Sequence, residues 1–124
     1  MADDPASSVE RALVLVVEDD DTDWELLSDA LVGKYLLVRA TGGGDAIDHL
    51  NGGAVQAALV DMKLPGAYTG VDVYQRAKSL NVPVRVMTTM PALAWASGVG
   101  EDDILDKSDG WQAMLDWLEK ACES

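Results

Sequence analysis

The sequence predicts an α/β protein built on a parallel sheet, and three observations carry that prediction. Short apolar runs alternate with helical patterns along the chain, the arrangement of parallel strands joined by crossover helices. The runs are nearly continuous in apolar residues, so both faces of the sheet are expected to be buried. Four runs also end in polar groups: residues 14–17 in Glu18-Asp19-Asp20, 57–60 in Asp61, 84–87 in Thr88-Thr89, and 104–105 in Asp106-Lys107. If these strands are parallel neighbours, the acids, a hydroxyl and an amine converge on the carboxyl edge, where open α/β sheets place their chemistry.

Strands are expected over residues 12–17, 36–40, 57–60, 84–87 and 104–105, the last the weakest pattern. The first helix spans about 23–32. Acids stand at its N-terminal end, where the helix dipole favours them; Trp24, Leu27 and Leu31 form its apolar stripe, and Gly33 can stop it. The second covers about 45–50, bracketed by Gly42-Gly43-Gly44 and Gly52-Gly53. Those first glycines lack the spacing of a dinucleotide or phosphate-loop fingerprint and read as loop. The third helix spans about 71–80 and ends before Pro83. The fourth, over 91–97, has room for only about two turns before Gly98. The last, 111–121, turns Met114, Leu115 and Leu118 to the core.

At 124 residues the chain is one ordinary domain with one core. A second domain is not expected within these residues. A net charge of −13 repels phosphate backbones and anionic lipids, so neither nucleic acid nor membrane is an expected partner. A lone cysteine, Cys122, forms no internal disulfide; with an acidic opening instead of a basic leader, this points to the cytoplasm. Residues 1–10 are small, polar and acidic, and read as a flexible tail ahead of a domain over 11–124. His49 reads as a surface residue.

The set Glu18/Asp19, Asp61, Thr88 and Lys107, in this order and near this spacing, resembles the receiver domain of two-component response regulators, in the stand-alone form of chemotaxis response regulators. The resemblance runs from about residue 12 to 122. It implies a flavodoxin-like sheet ordered 2-1-3-4-5 with five helices. It also implies a phosphoacceptor at Asp61, supplied by a histidine kinase or a His-containing phosphotransfer protein. Mg²⁺ or Mn²⁺ would be held by Asp19 and Asp61, with Glu18 assisting and Lys63 lending its backbone carbonyl. Lys107 would pair with a phosphoryl oxygen, and Thr88 would hydrogen-bond another. Such a domain signals to a downstream protein; it assists its own phosphorylation and dephosphorylation but is not an enzyme of turnover.

Taken singly, each residue has a plainer reading. Asp20, Asp21 and Asp23 suit a helix N-cap, Asp61 a turn, Thr88 a strand-end hydroxyl and Lys107 a solvated surface. The ordered set outweighs them. Asp19, Asp21 and Asp23 match the start of a calcium loop, but Trp24 and Ala30 stand where Gly and Glu are required. Residues 18–22 resemble the nucleophile motif of haloacid-dehalogenase-type phosphatases, although the first acid is Glu. A degenerate receiver that binds a partner without phosphorylation is the other alternative. Four departures from the receiver pattern stand out. Thr89 replaces a small residue, Ile104 an aromatic switch and Ser108 a proline, and the loop over 65–70 is about one residue longer than is typical of the family. Without that aromatic, the response is expected in the loop after Thr88 and the fourth helix, where Trp95 reads equally as partner anchor or core.

Overall fold

The computed structural model describes residues 11–64 and 66–122; the tail expected over residues 1–10 lies outside them. Five parallel strands, β1 (Leu13–Val17), β2 (Leu36–Ala40), β3 (Ala57–Asp61), β4 (Val84–Thr88) and β5 (Ile104–Asp106), form one sheet ordered β2-β1-β3-β4-β5. The described residues hold five α-helices: α1 (Asp21–Leu31), α2 (Gly43–Asn51), α3 (Gly70–Ser79), α4 (Pro91–Ala96) and α5 (Gln112–Ala121). Single 3₁₀ turns, Glu101–Asp103 and Lys107–Asp109, flank β5. Class, strand order and helix number agree with the sequence reading.

Side chains on a strand alternate between faces, and the two cores follow that period. Leu15, Val17, Ala58, Val60, Val84 and Val86 pack with Ala46, Leu50, Val73, Ala77 and Ala94 of α2, α3 and α4. Val14, Val16, Leu59 and Met87 pack with Leu27 and Leu31 of α1 and Met114 and Leu118 of α5. Each fully buried leucine contributes roughly 2 kcal/mol of apolar transfer. Three strands run one residue beyond their apolar stretch, to Asp61, Thr88 and Asp106, because the register Asp61↔Met87 and Thr88↔Asp106 keeps those backbones paired. The polar residues are thereby fixed to the sheet.

Helix α1 opens at Asp21, earlier than expected, because the Asp20 side chain accepts from Asp23 N at 2.9 Å. A helix there also removes the calcium-loop reading. The larger correction concerns α2. Gly43 and Gly44 belong to the helix and not to a loop. Gly43 is required by packing: a Cβ there would lie 2.7 Å from the Tyr68 carbonyl oxygen. Gly70 answers a similar demand at the start of α3, where a Cβ would lie 2.7 Å from Met62 Cα. Thr69 caps α3 reciprocally with Asp72. Helix α4 is as short as expected and buries only Ala94. No cis peptide occurs among the described residues, as expected from Ser108. No described helix is long and apolar enough to cross a membrane.

Candidate functional site

The β1–α1 turn resolves a run of acids into separate tasks. Glu18 N donates to Ala40 O at 3.0 Å, continuing the β1–β2 pairing past Val17 and leaving the Glu18 side chain fully buried. Asp19, next along, is exposed. Asp20 caps α1, and Asp21 takes a 2.9 Å ion pair from Arg39. Arg39 also donates from Nε to Glu18 O at 3.0 Å and lies 5.3 Å over the Trp24 ring, which braces the turn from β2. Asp23 turns to Lys107, whose Nζ lies 3.2 Å away.

Asp61 ends the central strand β3 and points to the α1–α5 side of the sheet, the side of Leu59. Its Oδ1 lies 3.8 Å from Lys107 Nζ and accepts a long 3.4 Å bond from Lys63 N. Lys107 Nζ also lies 3.4 Å from Glu18 Oε1. Thr88 ends β4 with its Oγ1 accepting from Met90 N at 2.8 Å and directed at Met62 Sδ at 3.9 Å. The hydroxyl therefore holds the first residue before α4 and spends its own proton on a weak sulfur contact. It makes no hydrogen bond to Asp61 but shares the same cleft. That cleft, of ≈ 430 Å³, is lined by Asp23, Asp61, Lys63, Thr88, Lys107 and Trp111, with Met62, Thr89 and Met90 at its sides.

Glu18, Asp19 and Asp61 each offer a carboxylate oxygen, all within 4.8 Å of one another. Three anionic oxygens so close repel, and a hard divalent cation is the species that relieves them. The donor set fits Mg²⁺. In its absence the Glu18 carboxyl is pushed up to about 7. Burial is the main cause, followed by its hydrogen bond with Asp61 and the Asp61 charge; Lys107 and the Asp20 N–H oppose the shift. For Lys107 burial disfavours the charge, but Asp61, Glu18 and Asp23 outweigh it and hold the ammonium above its ordinary value.

No protein-family model and no curated protein matches the chain. Solved structures do. A response regulator receiver protein from Sinorhizobium medicae is 22% identical with a TM-score of 0.80, over 92% of this chain and 96% of that one. The fold is that of response regulator receivers. The receiver domain of a sensor histidine kinase from Pseudomonas aeruginosa, with a magnesium ion coordinated in its active site cleft, superposes with a TM-score of 0.79 at 19% identity. The match covers 92% of this chain and 99% of that one. A response regulator from Thermotoga maritima in complex with Mg²⁺ and beryllium fluoride gives 0.69 at 21% identity, over 89% and 98%.

The receiver fold brings Glu18, Asp19, Asp61 and Lys107 into one cluster and sets Lys63 and Thr88 in the adjoining cleft wall. Sequence reasoning missed Asp23 and Trp111. Asp23 lies in the first turn of α1, where an acid reads as a favourable partner of the helix dipole. Trp111, expected at the start of the last helix, occupies the position before α5 and lines the cleft. Ile104 packs against the α2–α4 core, and Trp95 is 64% exposed, so of its two readings the core one fails. His49 is half-buried beside Asp45, at 3.7 Å.

Proposed function

We infer that the chain, taken as a unit over residues 11–124, is a receiver that accepts a phosphoryl group on Asp61. The donor would be the phosphohistidine of a histidine kinase or phosphotransfer protein. The observation that carries this reading is the setting of Asp61. Its carboxylate ends the central strand, opens on a cleft, stands in a three-carboxylate group and has an ammonium 3.8 Å away. In the transfer an Asp61 oxygen attacks phosphorus, the new P–O bond forms as the P–N bond breaks, and the leaving imidazole takes up a proton.

Asp19 and Asp61, with Glu18 and the Lys63 carbonyl, would hold Mg²⁺ or Mn²⁺. The bound ion would neutralise charge on the phosphoryl oxygens. Lys107 supports the same charge as a compact ammonium. To hydrogen-bond a phosphoryl oxygen, Thr88 would give up its contact with Met62 Sδ and shift its bond from Met90 N. Because Thr88 Oγ1 also holds Met90 N, such a turn of the hydroxyl would reach α4. The output would then be an altered surface read by a downstream protein in the cytoplasm, with no turnover chemistry beyond the domain's own phosphorylation and dephosphorylation.

The test is incubation with acetyl phosphate and Mg²⁺, followed by acid quench and intact mass. Wild type should gain one phosphoryl mass and Asp61→Asn none. Equal labelling of the variant would move the acceptor elsewhere. No labelling of wild type by acetyl phosphate or by a competent phosphohistidine donor would favour a partner-binding module that is not phosphorylated.

A further inference from the structure

One ammonium serves three carboxylates in this cleft, and the nearest is not the one that ends β3. Lys107 Nζ stands 3.2 Å from Asp23 Oδ2, 3.4 Å from Glu18 Oε1 and 3.8 Å from Asp61 Oδ1. Asp23 differs from the other two in origin and exposure. It comes from the first turn of α1, and its side chain is 37% exposed against 15% for Asp61 and 1% for Glu18. It lines the cleft and is more exposed than Lys107, whose side chain is 17% exposed. Its backbone is held there, since Asp23 N donates to the Asp20 cap. The neighbouring acids are otherwise engaged, Asp20 in that cap and Asp21 with Arg39.

We propose that Asp23 is an electrostatic gate on the cleft, a positioning residue that holds the Lys107 ammonium away from Asp61 and repels an anionic phosphoryl donor. The proposal rests on the reading of Asp61 as phosphoacceptor. Transfer requires Lys107 to place its charge on an equatorial phosphoryl oxygen, so its pairing with Asp23 must loosen first. The Asp23 charge meanwhile opposes a dianion entering the same 430 Å³ space. Both effects slow acceptance, and both are electrostatic.

Labelling of wild type, Asp23→Asn and Asp23→Glu by acetyl phosphate tests the gate. Each protein is held at its own saturating Mg²⁺, and rates are read by intact mass across a salt series. At low salt Asp23→Asn should label roughly 2- to 5-fold faster, the scale of one partly exposed ion-pair partner. Asp23→Glu should keep the wild-type rate, because the charge remains. The advantage of Asp23→Asn should shrink as salt screens the repulsion. Asp23→Ser, also neutral, replaces Asp23→Asn if that variant fails to fold. A neutral variant that labels no faster than wild type, or whose advantage persists unchanged at high salt, overturns the gate while leaving Asp61 as acceptor. A folded wild type that takes no label at Asp61 overturns the phosphoacceptor reading, and the gate with it.

Discussion

Two charged clusters sit at opposite ends of the three-residue strand β5, with acids and cations in opposite proportion. At its start, Asp103 is one carboxylate among many donors. It accepts from Arg85 Nη1 at 2.8 Å and from the Tyr74 hydroxyl at 2.6 Å, with Lys78 Nζ at 3.3 Å. Arg85 in turn lies 4.7 Å over the Trp117 ring. At the other end, Lys107 is one ammonium among three carboxylates. Exposure does not separate the two, since the Asp103 and Asp61 side chains are both 15% exposed. Stoichiometry does. The Asp103 cluster is satisfied from within the chain and ties β4, α3 and the 3₁₀ turn together. The Lys107 cluster retains uncompensated negative charge beside an open cleft, the condition of a site that a cation completes.

The sharpest way to break this comparison is pH, and the largest effect is expected at Glu18. Its carboxyl is raised from 4.5 to about 7 in the folded protein, so between those values the native state binds more protons than the unfolded chain. Stability must then fall as pH rises through that window. Urea unfolding in chelator should show wild type losing stability from pH 5 to 8 relative to Glu18→Gln, with Mg²⁺ restoring it at pH 8. Parallel pH profiles for the two proteins would remove the strained carboxylate from the account. Next in size is Asp103→Ala, which leaves the partly buried Arg85 without its counter-ion. It should cost about 2 kcal/mol, read by urea midpoint, with Mg²⁺ affinity unchanged. Asp19→Ala should do the reverse. It should lower Mg²⁺ affinity by roughly tenfold or more in calorimetry while leaving metal-free stability at or above wild type. If Asp103→Ala weakens Mg²⁺ and Asp19→Ala does not, the two clusters have been assigned the wrong way round.

The same contrast marks what the sequence could disclose. Strand-end acids are visible because their signal is local: an apolar run stops and a carboxylate follows, as at Val60 and Asp61. Burial of Glu18 is not visible, because it depends on Glu18 N reaching Ala40 O across to β2. The role of Asp23 rests on a partner 84 positions away, and locally it looks like any acid at a helix start. Gly42-Gly43-Gly44 reads as loop on propensity alone. Only the Tyr68 backbone lying against Gly43 explains why that glycine is helical. The 3₁₀ turn after β5 is likewise set by tertiary placement and a local cap, Asp106 accepting from Ser108 N at 2.9 Å. The Asp103 cluster has no sequence signature, since Tyr74, Lys78, Arg85 and Asp103 fall on three elements with no shared motif.

Helix α4 supplies the smallest expected effect and a check on both clusters. It precedes β5 in the chain, and it is anchored by one small side chain: Ala94 is fully buried while its neighbour Trp95 is 64% exposed. The indole borders a shallow hollow shared with Pro91, Ile104 and Asp106, but most of its surface remains in water, so little transfer free energy depends on it. Trp95→Ala should therefore change stability by no more than about 0.5 kcal/mol, the usual range for an exposed position. Mg²⁺ affinity and the Asp61 labelling rate should stay at wild type, because the ring touches neither Lys107 nor Asp103. Ala94→Trp, which forces bulk into the packed face of the same helix, should by contrast unfold at clearly lower urea. A loss above about 1 kcal/mol for Trp95→Ala would mean that the indole carries packing between α4 and β5. The short helix would then be held by its largest residue, with Ala94 a bystander.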